Sequence, residues 1–222
     1  MLRIHRSAAI AGALTFGLVG GLASPAVASP ATASNWHVGV YTPSGRALSE
    51  AQAARPAVGL ASFHFTTTPD TALLIATQGS QKGALLGDIS GKTVTATYTI
   101  SGTGFTYYGE GSSGCTAQPS ARLFFETSNA GGFDETNYWW SNPESAVLAN
   151  GTMTLTTTVA GADWSDYYGH FGTGAYSAGF AAAASHVTGI GLSFGGGCFF
   201  ENGVGAPDAT LTLTGFSVGP MP

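Results

Sequence analysis

The segment Lys92-Thr-Val-Thr-Ala-Thr-Tyr-Thr-Ile100 decides the fold class. Its apolar side chains Val94, Ala96 and Tyr98 alternate with threonines from one end of the segment to the other. Successive side chains of a β-strand point to opposite faces, so this period of two predicts a strand with one buried and one solvated face. The β-branched threonines on the outer face suit the pleated surface of a sheet.

Six other segments show strand patterns, and short turn signals separate them. The segment 152–159 repeats the alternation, and Met153, Leu155 and Val159 are predicted to point inward. The other predicted strands are Gly59–Phe65, Thr71–Thr77, Arg122–Thr127, Ile190–Phe194 and Thr210–Val218. So many short strands with almost no helix predict an antiparallel two-sheet sandwich.

Two local features refine this all-β prediction. In Thr210–Val218 the apolar positions change parity at Gly215, which predicts a β-bulge at that residue. The segment Tyr176–His186 is the one internal stretch that predicts a helix, because it is rich in alanine, the best helix former. The expected fold class is therefore all-β with one short Ala-rich helix.

The N-terminal region has the layout of a secretory signal peptide, which we expect to span residues 1–28. A basic start precedes an apolar run at 8–22, and two A-x-A cleavage sites follow at 26–28 and 31–33. The run is short and glycine-rich for a membrane span, although an uncleaved N-terminal anchor is the alternative.

Residues 29–57 are expected to form a weakly ordered N-terminal extension, with a propeptide as the alternative. Leu48–Arg55 predicts two helical turns that end before Pro56, because the residue before a proline avoids the helical region. The β-sandwich domain is then expected to span residues 58–222. A mature chain of about 190 residues is long enough for one sizeable core.

The charge balance restricts the classes of partner. Seven Lys and Arg residues stand against twelve Asp and Glu residues, which gives a net charge of −5. Such a surface does not attract nucleic acid or anionic lipid, because phosphate binding relies on clustered basic residues. Abundant Gly, Thr, Ser and Ala are typical of exported bacterial β-proteins. With the signal peptide, they predict a secreted, extracellular monomer without a membrane span after cleavage.

The chain has two cysteines, Cys115 and Cys198, and each follows a glycine. In an oxidising compartment an even pair predicts one disulfide. The closed loop is expected to stabilise the fold by roughly 4 kcal/mol on the chain-entropy model. A free catalytic thiol is the alternative.

The segment Asp134-Glu-Thr-Asn-Tyr-Trp-Trp-Ser-Asn-Pro143 joins acids, amides and three consecutive aromatic residues. Tyr138, Trp139 and Trp140 cannot all face one core in an extended segment, so one or two of them are expected to face solvent. Exposed rings can stack on the apolar faces of sugar rings. We therefore predict a glycan-binding loop here, and rings that belong to the core are the alternative.

Further residues extend this predicted ligand site. Asp134 and Asn137 are expected to hydrogen-bond sugar hydroxyls beside the three rings. Trp164 and Tyr167 belong to a second aromatic cluster, Ala-Asp-Trp-Ser-Asp-Tyr-Tyr-Gly-His170, which is predicted to contact sugar in the same way. Here too, core packing of the rings is the alternative.

Catalysis by paired carboxylates is a separate possibility, since a glycosidase places two carboxyl groups across a cleft. Asp163 and Asp166 could equally solvate a loop or hold calcium through oxygen ligands, so a structural calcium ion is also considered. No zinc-protease motif or nucleophile elbow occurs in the sequence. The acids considered are Glu110, Glu126, Asp134, Glu135, Asp163, Asp166 and Glu201.

In the C-terminal half, a short helix with an F-x-x-A turn, within Phe180–Cys198, leads into an Ile-Gly strand, and a terminal strand follows at Ala209–Val218. This layout resembles the end of jelly-roll, galactose-binding-like carbohydrate-binding modules. The segment Leu85–Val94 is similar to the strand-entry turn of the same class. The resemblance implies a jelly-roll fold and sugar binding, but it assigns no ligand residue.

Three functions are therefore considered. The first is a non-catalytic module that binds extracellular or cell-wall polysaccharide by aromatic stacking. The second is a small glycoside hydrolase or polysaccharide lyase that uses paired carboxylates. The third is a structural or adhesive surface protein without a small ligand. The first is the expected function, with no catalytic residue and no cofactor beyond the possible calcium ion.

Overall fold

The computed structural model describes residues 33–41, 47–65, 71–77, 84–107, 118–127, 133–134, 136–196 and 203–220. Within them the chain forms strands and one short α-helix, α1 (Ser177–Ala184), with a 3₁₀ turn at Gly174–Tyr176 just before it. The strands are β1 (Ala33–Tyr41), β2 (Ala47–Ala54), β3 (Ala61–His64), β4 (Thr71–Thr77), β5 (Thr93–Ser101), β6 (Thr106–Tyr107), β7 (Ser120–Glu126), β8 (Tyr138–Ser141), β9 (Ala146–Val147), β10 (Gly151–Thr158), β11 (Trp164–Asp166), β12 (Gly189–Gly195), β13 (Val204–Gly205) and β14 (Thr210–Gly219).

The long strands follow one hydrogen-bonded path, in the order β10-β5-β14-β3-β2-β1-β4-β12-β7-β8-β11. All of the pairings along it are antiparallel. The link between β2 and β3 is a single pair, Ala54↔Ser62, which forms a corner between two layers. The all-β antiparallel fold class with one short helix is thereby confirmed.

The two layers enclose the main core. From one layer, Tyr98 of β5 and Leu211 of β14 enter it, and from the other layer come Leu74 of β4, Phe125 of β7 and Leu192 of β12. All five side chains are 0% exposed. Burial of apolar area on this scale is the dominant favourable term in folding, so this interface between layers is the principal source of stability.

The strand that decides the fold class behaves as its sequence predicts. Alternate residues of β5 are buried, and the threonines between them lie on the outer face. Their hydroxyls meet those of β10 in a regular series, at 3.2, 3.1 and 2.9 Å for Thr95–Thr156, Thr97–Thr154 and Thr99–Thr152. The outer face of this layer is therefore a hydrogen-bonded threonine ladder rather than a charged surface.

The other layer is buried on both of its faces. The side chains of its outer face form a second cluster, in which Tyr138, Trp140 and Phe124 are fully buried. Leu73 and Ile75 of β4 belong to this second cluster, whereas Leu74 between them belongs to the main core. Strands with two buried faces carry continuous apolar runs, which explains the run Thr-Ala-Leu-Leu-Ile-Ala-Thr in β4.

The predicted domain boundary at residue 58 is wrong, because β1 and β2 are integral strands of the sheet. β1 lies between β2 and β4, and its Trp36 is 2% exposed and packs on Phe216 with ring centroids 5.1 Å apart. The helical turns predicted for Leu48–Arg55 are replaced by β2. Tertiary pairing with β1 outweighs the helix propensity of this alanine-rich segment. The predicted signal peptide lies outside the described residues.

Two local predictions are confirmed. The helix α1 lies within the predicted segment Tyr176–His186. The register of β14 against β5 shifts between Leu213 and Gly215, which is the predicted bulge. Its position follows from the parity change in the sequence, because the extra residue of the bulge lets Leu213 and Phe216, which differ in parity, face the same core.

Neither Cys115 nor Cys198 lies within the described residues, but their neighbours are informative. Cys115 precedes Ser120 by five positions and Cys198 follows Gly195 by three, and Ser120 and Gly195 are paired across β7 and β12. Antiparallel pairing therefore brings the chain close to itself within a few residues of both cysteines. We predict that the intact mass rises by about two daltons on reduction, as one disulfide requires. An unchanged mass would contradict the pairing.

No helix among the described residues is long and apolar enough to cross a membrane.

Candidate functional site

The structure places the predicted aromatic loop inside the fold. Tyr138, Trp139 and Trp140 are all 0% exposed, so the expectation that one or two of these rings face solvent is wrong. The segment is the strand β8, which pairs with β7 on one side and β11 on the other. Alternation does point neighbouring rings to opposite faces, but both faces of this layer are covered. A ring without accessible surface offers no stacking platform in this conformation.

The three rings pack on different neighbours. Trp139 enters the main core, with its ring centroid 5.1 Å from that of Phe180 of α1. Tyr138 and Trp140 enter the second cluster, where Phe133 lies 4.0 Å from Tyr138 and 5.6 Å from Trp140. These ring pairs are tilted or T-shaped, as aromatic pairs prefer, so β8 is held from both sides.

The side chains of Asp134 and Asn137 form hydrogen bonds within the turn that leads into β8. The Asn137 side chain accepts from the Asp134 N–H at 2.9 Å and donates to Asp134 Oδ2 at 3.1 Å. Asp134 Oδ1 also accepts from the backbone N–H and the hydroxyl of Thr136, both at 2.7 Å. These bonds give both predicted ligand-binding side chains a structural role in closing the turn.

The second predicted cluster is divided between core and surface. Trp164 is fully buried, donates its indole N–H to the Thr158 carbonyl at 2.8 Å and packs on Phe125. Tyr167 is half-buried and meets Trp140 on its inner side and Tyr168 on its outer side. Burial raises the pKa of the Tyr167 hydroxyl. Trp164 is therefore a core residue, and Tyr167 connects the second cluster with the surface.

A buried acid organises the turn that follows Tyr167. Asp166 is fully buried, and its Oδ1 accepts from the backbone N–H groups of Tyr168 and His170 at 2.9 and 2.8 Å. Its Oδ2 lies 3.0 Å from His170 Nδ1. Gly169 completes the turn with a φ of +85°, a value that glycine adopts without strain. The carboxylate thereby fixes both the backbone of the turn and the plane of the imidazole.

The turn presents Tyr168 to solvent, and the half-buried rings of His170 and Tyr176 lie beside it; we call these three rings the Tyr168 surface. Tyr168 is 57% exposed, and its ring centroid lies 6.1 Å from that of His170. His170 stacks on Tyr176 at 4.1 Å with an interplanar angle of 6°. Because Nδ1 faces Asp166, Nε2 is the ring nitrogen left for a ligand. Phe171, next along the chain, is 40% exposed.

Sequence reasoning named this aromatic cluster but did not single out its exposed members. One signal was present in Asp166-Tyr-Tyr-Gly-His170, where an acid and a glycine bracket two tyrosines. Such a pattern predicts a tight turn in which the acid bonds the backbone and the residue before glycine occupies the tip. Tyr168 holds that tip.

Glu126 is a buried acid of β7, on the same face of the layer as Tyr138 of the second cluster. It is 3% exposed, and burial raises its pKa from 4.5 to about 7. The nearby Tyr138 hydroxyl lowers this pKa and the charge of Glu50 raises it, both as smaller effects. Burial also raises the pKa of Tyr138. Glu126 thus stays protonated up to about neutral pH, which is uncommon for a carboxyl group and frequent at functional sites.

Two of the other predicted acids are engaged in hydrogen bonds of their own turns. Asp134 is bonded within its turn and Asp166 is bonded to His170. The carboxylate whose charge acts on Glu126 is that of Glu50, which sequence reasoning did not name. Within the described ranges, no three His, Cys, Asp or Glu side chains group as they would around a metal ion. Glu110, Glu135 and Glu201 lie outside those ranges.

An open pocket of about 380 Å³ lies away from the Tyr168 surface, between the loop 102–105, the start of β7 and residues 147–150. Its polar side chains are Thr103, Gln118 and Asn150, and the described lining contains no ionisable group. Asn150 is already engaged, because its Oδ1 accepts from the Gly102 N–H at 3.3 Å. The pocket therefore offers no group for acid–base chemistry.

Comparison of the chain with protein-family models, with curated proteins and with solved structures finds no match.

Proposed function

We propose that this protein is a secreted module that binds a neutral extracellular or cell-wall glycan without catalysis, and that it binds through the Tyr168 surface. The observation that carries the proposal is the exposed ring of Tyr168 beside the half-buried rings of His170 and Tyr176, in a turn organised by the buried Asp166.

The chemistry of the surface suits a sugar. The faces of Tyr168 and its neighbours can stack on the C–H face of a pyranose ring. Because His170 Nδ1 faces Asp166 Oδ2 at 3.0 Å, Nε2 is the ring nitrogen that can form a hydrogen bond with a sugar hydroxyl. Because the Asp166 carboxylate holds the ring in place, little side-chain entropy is lost on binding. The net charge of −5 disfavours a polyanionic glycan.

The resemblance to galactose-binding-like modules agrees with this proposal, although no compared protein supports it. The hydrolase alternative has one supporting feature, the protonated carboxyl of Glu126. It also requires a second carboxyl group across a cleft, and Asp134 and Asp166 are already engaged in hydrogen bonds of their turns. The adhesive alternative would leave the Tyr168 surface without a small ligand. The calcium ion considered from sequence remains a proposal, and the part of the chain that the structure describes holds no cluster of three potential ligands for it.

The Tyr168→Ala variant tests the proposal by affinity electrophoresis through gels that contain cellulose derivative, chitin derivative, xylan or dextran. We expect the affinity measured from the retardation to fall roughly tenfold. One stacked ring contributes up to about 1.4 kcal/mol, and a loss of that size is a tenfold change in affinity. Its thermal stability should change little, because the side chain is mostly exposed.

Val147→Ala is the matched control, since Val147 is 51% exposed and lies beside the distant pocket. It should be retarded like the wild type. Wild-type retardation in a Tyr168→Ala variant would contradict the proposed surface. If the protein is instead a structural or adhesive surface protein without a small ligand, the wild type itself should migrate unretarded on every gel.

A further inference from the structure

The Tyr168 surface has one well-exposed ring. Tyr168 is 57% exposed, whereas His170 and Tyr176 are half-buried. Among the Trp, Tyr and Phe residues that the structure describes, Phe171 is the only other exposed one. The form of glycan that fits this surface therefore depends on how the neighbouring rings are inclined to Tyr168.

The three rings of the surface do not lie in one plane. Tyr168 is inclined by 44° to His170, and their centroids are 6.1 Å apart. His170 and Tyr176 are parallel to within 6°, but their centroids are 4.1 Å apart, so they are stacked one on the other. A stack of this kind hides one face of each ring. It does not extend the face of Tyr168 into a flat platform.

The neighbours of these rings do not extend the platform either. Tyr167 meets Tyr168 in a T-shaped contact, with an interplanar angle of 81°. Phe171 forms an antiparallel bridge with Ser165, and successive residues of an extended segment point to opposite faces. Phe171 therefore points away from the side on which His170 meets Asp166. None of these rings continues the plane of Tyr168.

The hydrogen-bonding group of the surface also restricts the form of the glycan. His170 Nε2 bonds in the plane of the imidazole ring, and that plane is inclined to Tyr168. The hydroxyl groups of a pyranose project from the edge of the sugar ring, so this bond requires a sugar unit whose edge is free. In a crystalline polysaccharide those hydroxyl groups are already bonded to neighbouring chains.

We infer that the Tyr168 surface binds a single free glycan chain, as in soluble or amorphous polysaccharide, and does not bind the flat face of a crystalline one. The inference rests on the proposed function and names its substrate class. A flat crystalline face is complementary in shape to coplanar exposed rings, and close packing at an interface requires such complementarity. Inclined rings touch a flat face at one ring, whereas a free chain twists to follow them.

Depletion binding isotherms on matched pairs of insoluble polysaccharide test the inference. Microcrystalline cellulose is compared with acid-swollen cellulose, and crystalline chitin with colloidal chitin, so the sugar is the same and the chain packing differs. Association constants are compared rather than capacities, because swelling also exposes more surface. We expect the full chain to bind the swollen form roughly tenfold more tightly, since the crystalline face forfeits a hydrogen bond and a ring contact.

Two variants show whether the Tyr168 surface is responsible. Tyr168→Ala should lower the association constant on the swollen form roughly tenfold, as in the affinity gels. Phe171→Ala is the matched control, because Phe171 is also exposed but points away from His170. It should bind the swollen form like the wild type.

The possible outcomes separate this inference from the proposed function. Equal association constants on the swollen and crystalline forms, both lowered by Tyr168→Ala, would overturn the inference and leave the proposed function standing. Retardation by xylan or dextran gels without binding to either crystalline solid supports the inference. If the wild type binds no polysaccharide, or if Tyr168→Ala binds every polysaccharide like the wild type, both fail.

Discussion

Replacing Trp139 by alanine should destabilise the protein by about 3–5 kcal/mol, the range observed when a large aromatic side chain is removed from a core. Trp139 is fully buried and contacts Phe180, so its loss leaves a cavity between β8 and α1. For a chain of this length, such a change lowers the thermal midpoint by on the order of 10 °C. Calorimetry or circular dichroism measures it directly.

Tyr168→Ala provides the comparison, since the two residues belong to neighbouring aromatic clusters and differ in exposure, 0% against 57%. We expect its unfolding free energy to change by less than about 0.5 kcal/mol. The sequence alone assigned Trp139 to ligand binding. A Trp139→Ala protein that keeps its stability and loses glycan binding would restore that assignment and contradict the fold described above.

The second large effect concerns pH. Because burial raises the pKa of Glu126 from 4.5 to about 7, the folded state holds a proton that the unfolded state releases between these values. Below pH 4.5 both states are protonated and Glu126 carries no penalty. As pH rises to 7 the penalty grows to about 3 kcal/mol, and above the folded pKa it stays constant. The wild type should therefore lose stability over this window.

Glu126→Gln isolates this effect, since glutamine keeps the shape and does not ionise. The free energy of unfolding of both proteins is measured with denaturant at pH 4, 5.5 and 8. The difference between variant and wild type should move in favour of the variant as pH rises, by about 3 kcal/mol across the series. Other titrating groups affect both proteins alike, so their contribution cancels in the difference. Parallel pH profiles for the two proteins would show that Glu126 has an ordinary pKa.

Much of the β-sandwich follows from the sequence because its signals are local. The alternation in β5, the parity change at Gly215 and the alanines of α1 each fix an element without help from distant residues. β2 lacks such a signal. Its sequence Ala-Leu-Ser-Glu-Ala-Gln-Ala-Ala favours a helix locally, and its pairing with β1 decides otherwise.

The site was harder to predict because exposure depends on what covers each face of a layer. The burial of Tyr138 and Trp140 follows from the second cluster, to which Tyr41 and Leu73 contribute from distant parts of the chain. Alternation along β8 shows that the rings diverge, and it does not show that both sides are covered. The raised pKa of Glu126 also depends on tertiary burial.

Hydroxyl-radical footprinting with and without bound polysaccharide tests the central claim most directly, because it reports the accessibility of each ring by mass spectrometry. In the free protein we predict labelling at Tyr168 and Phe171 and none at Trp139 or Trp140. Bound glycan should protect Tyr168. Labelling of Trp139 or Trp140 that bound glycan suppresses, with Tyr168 equally labelled in both states, would contradict the account.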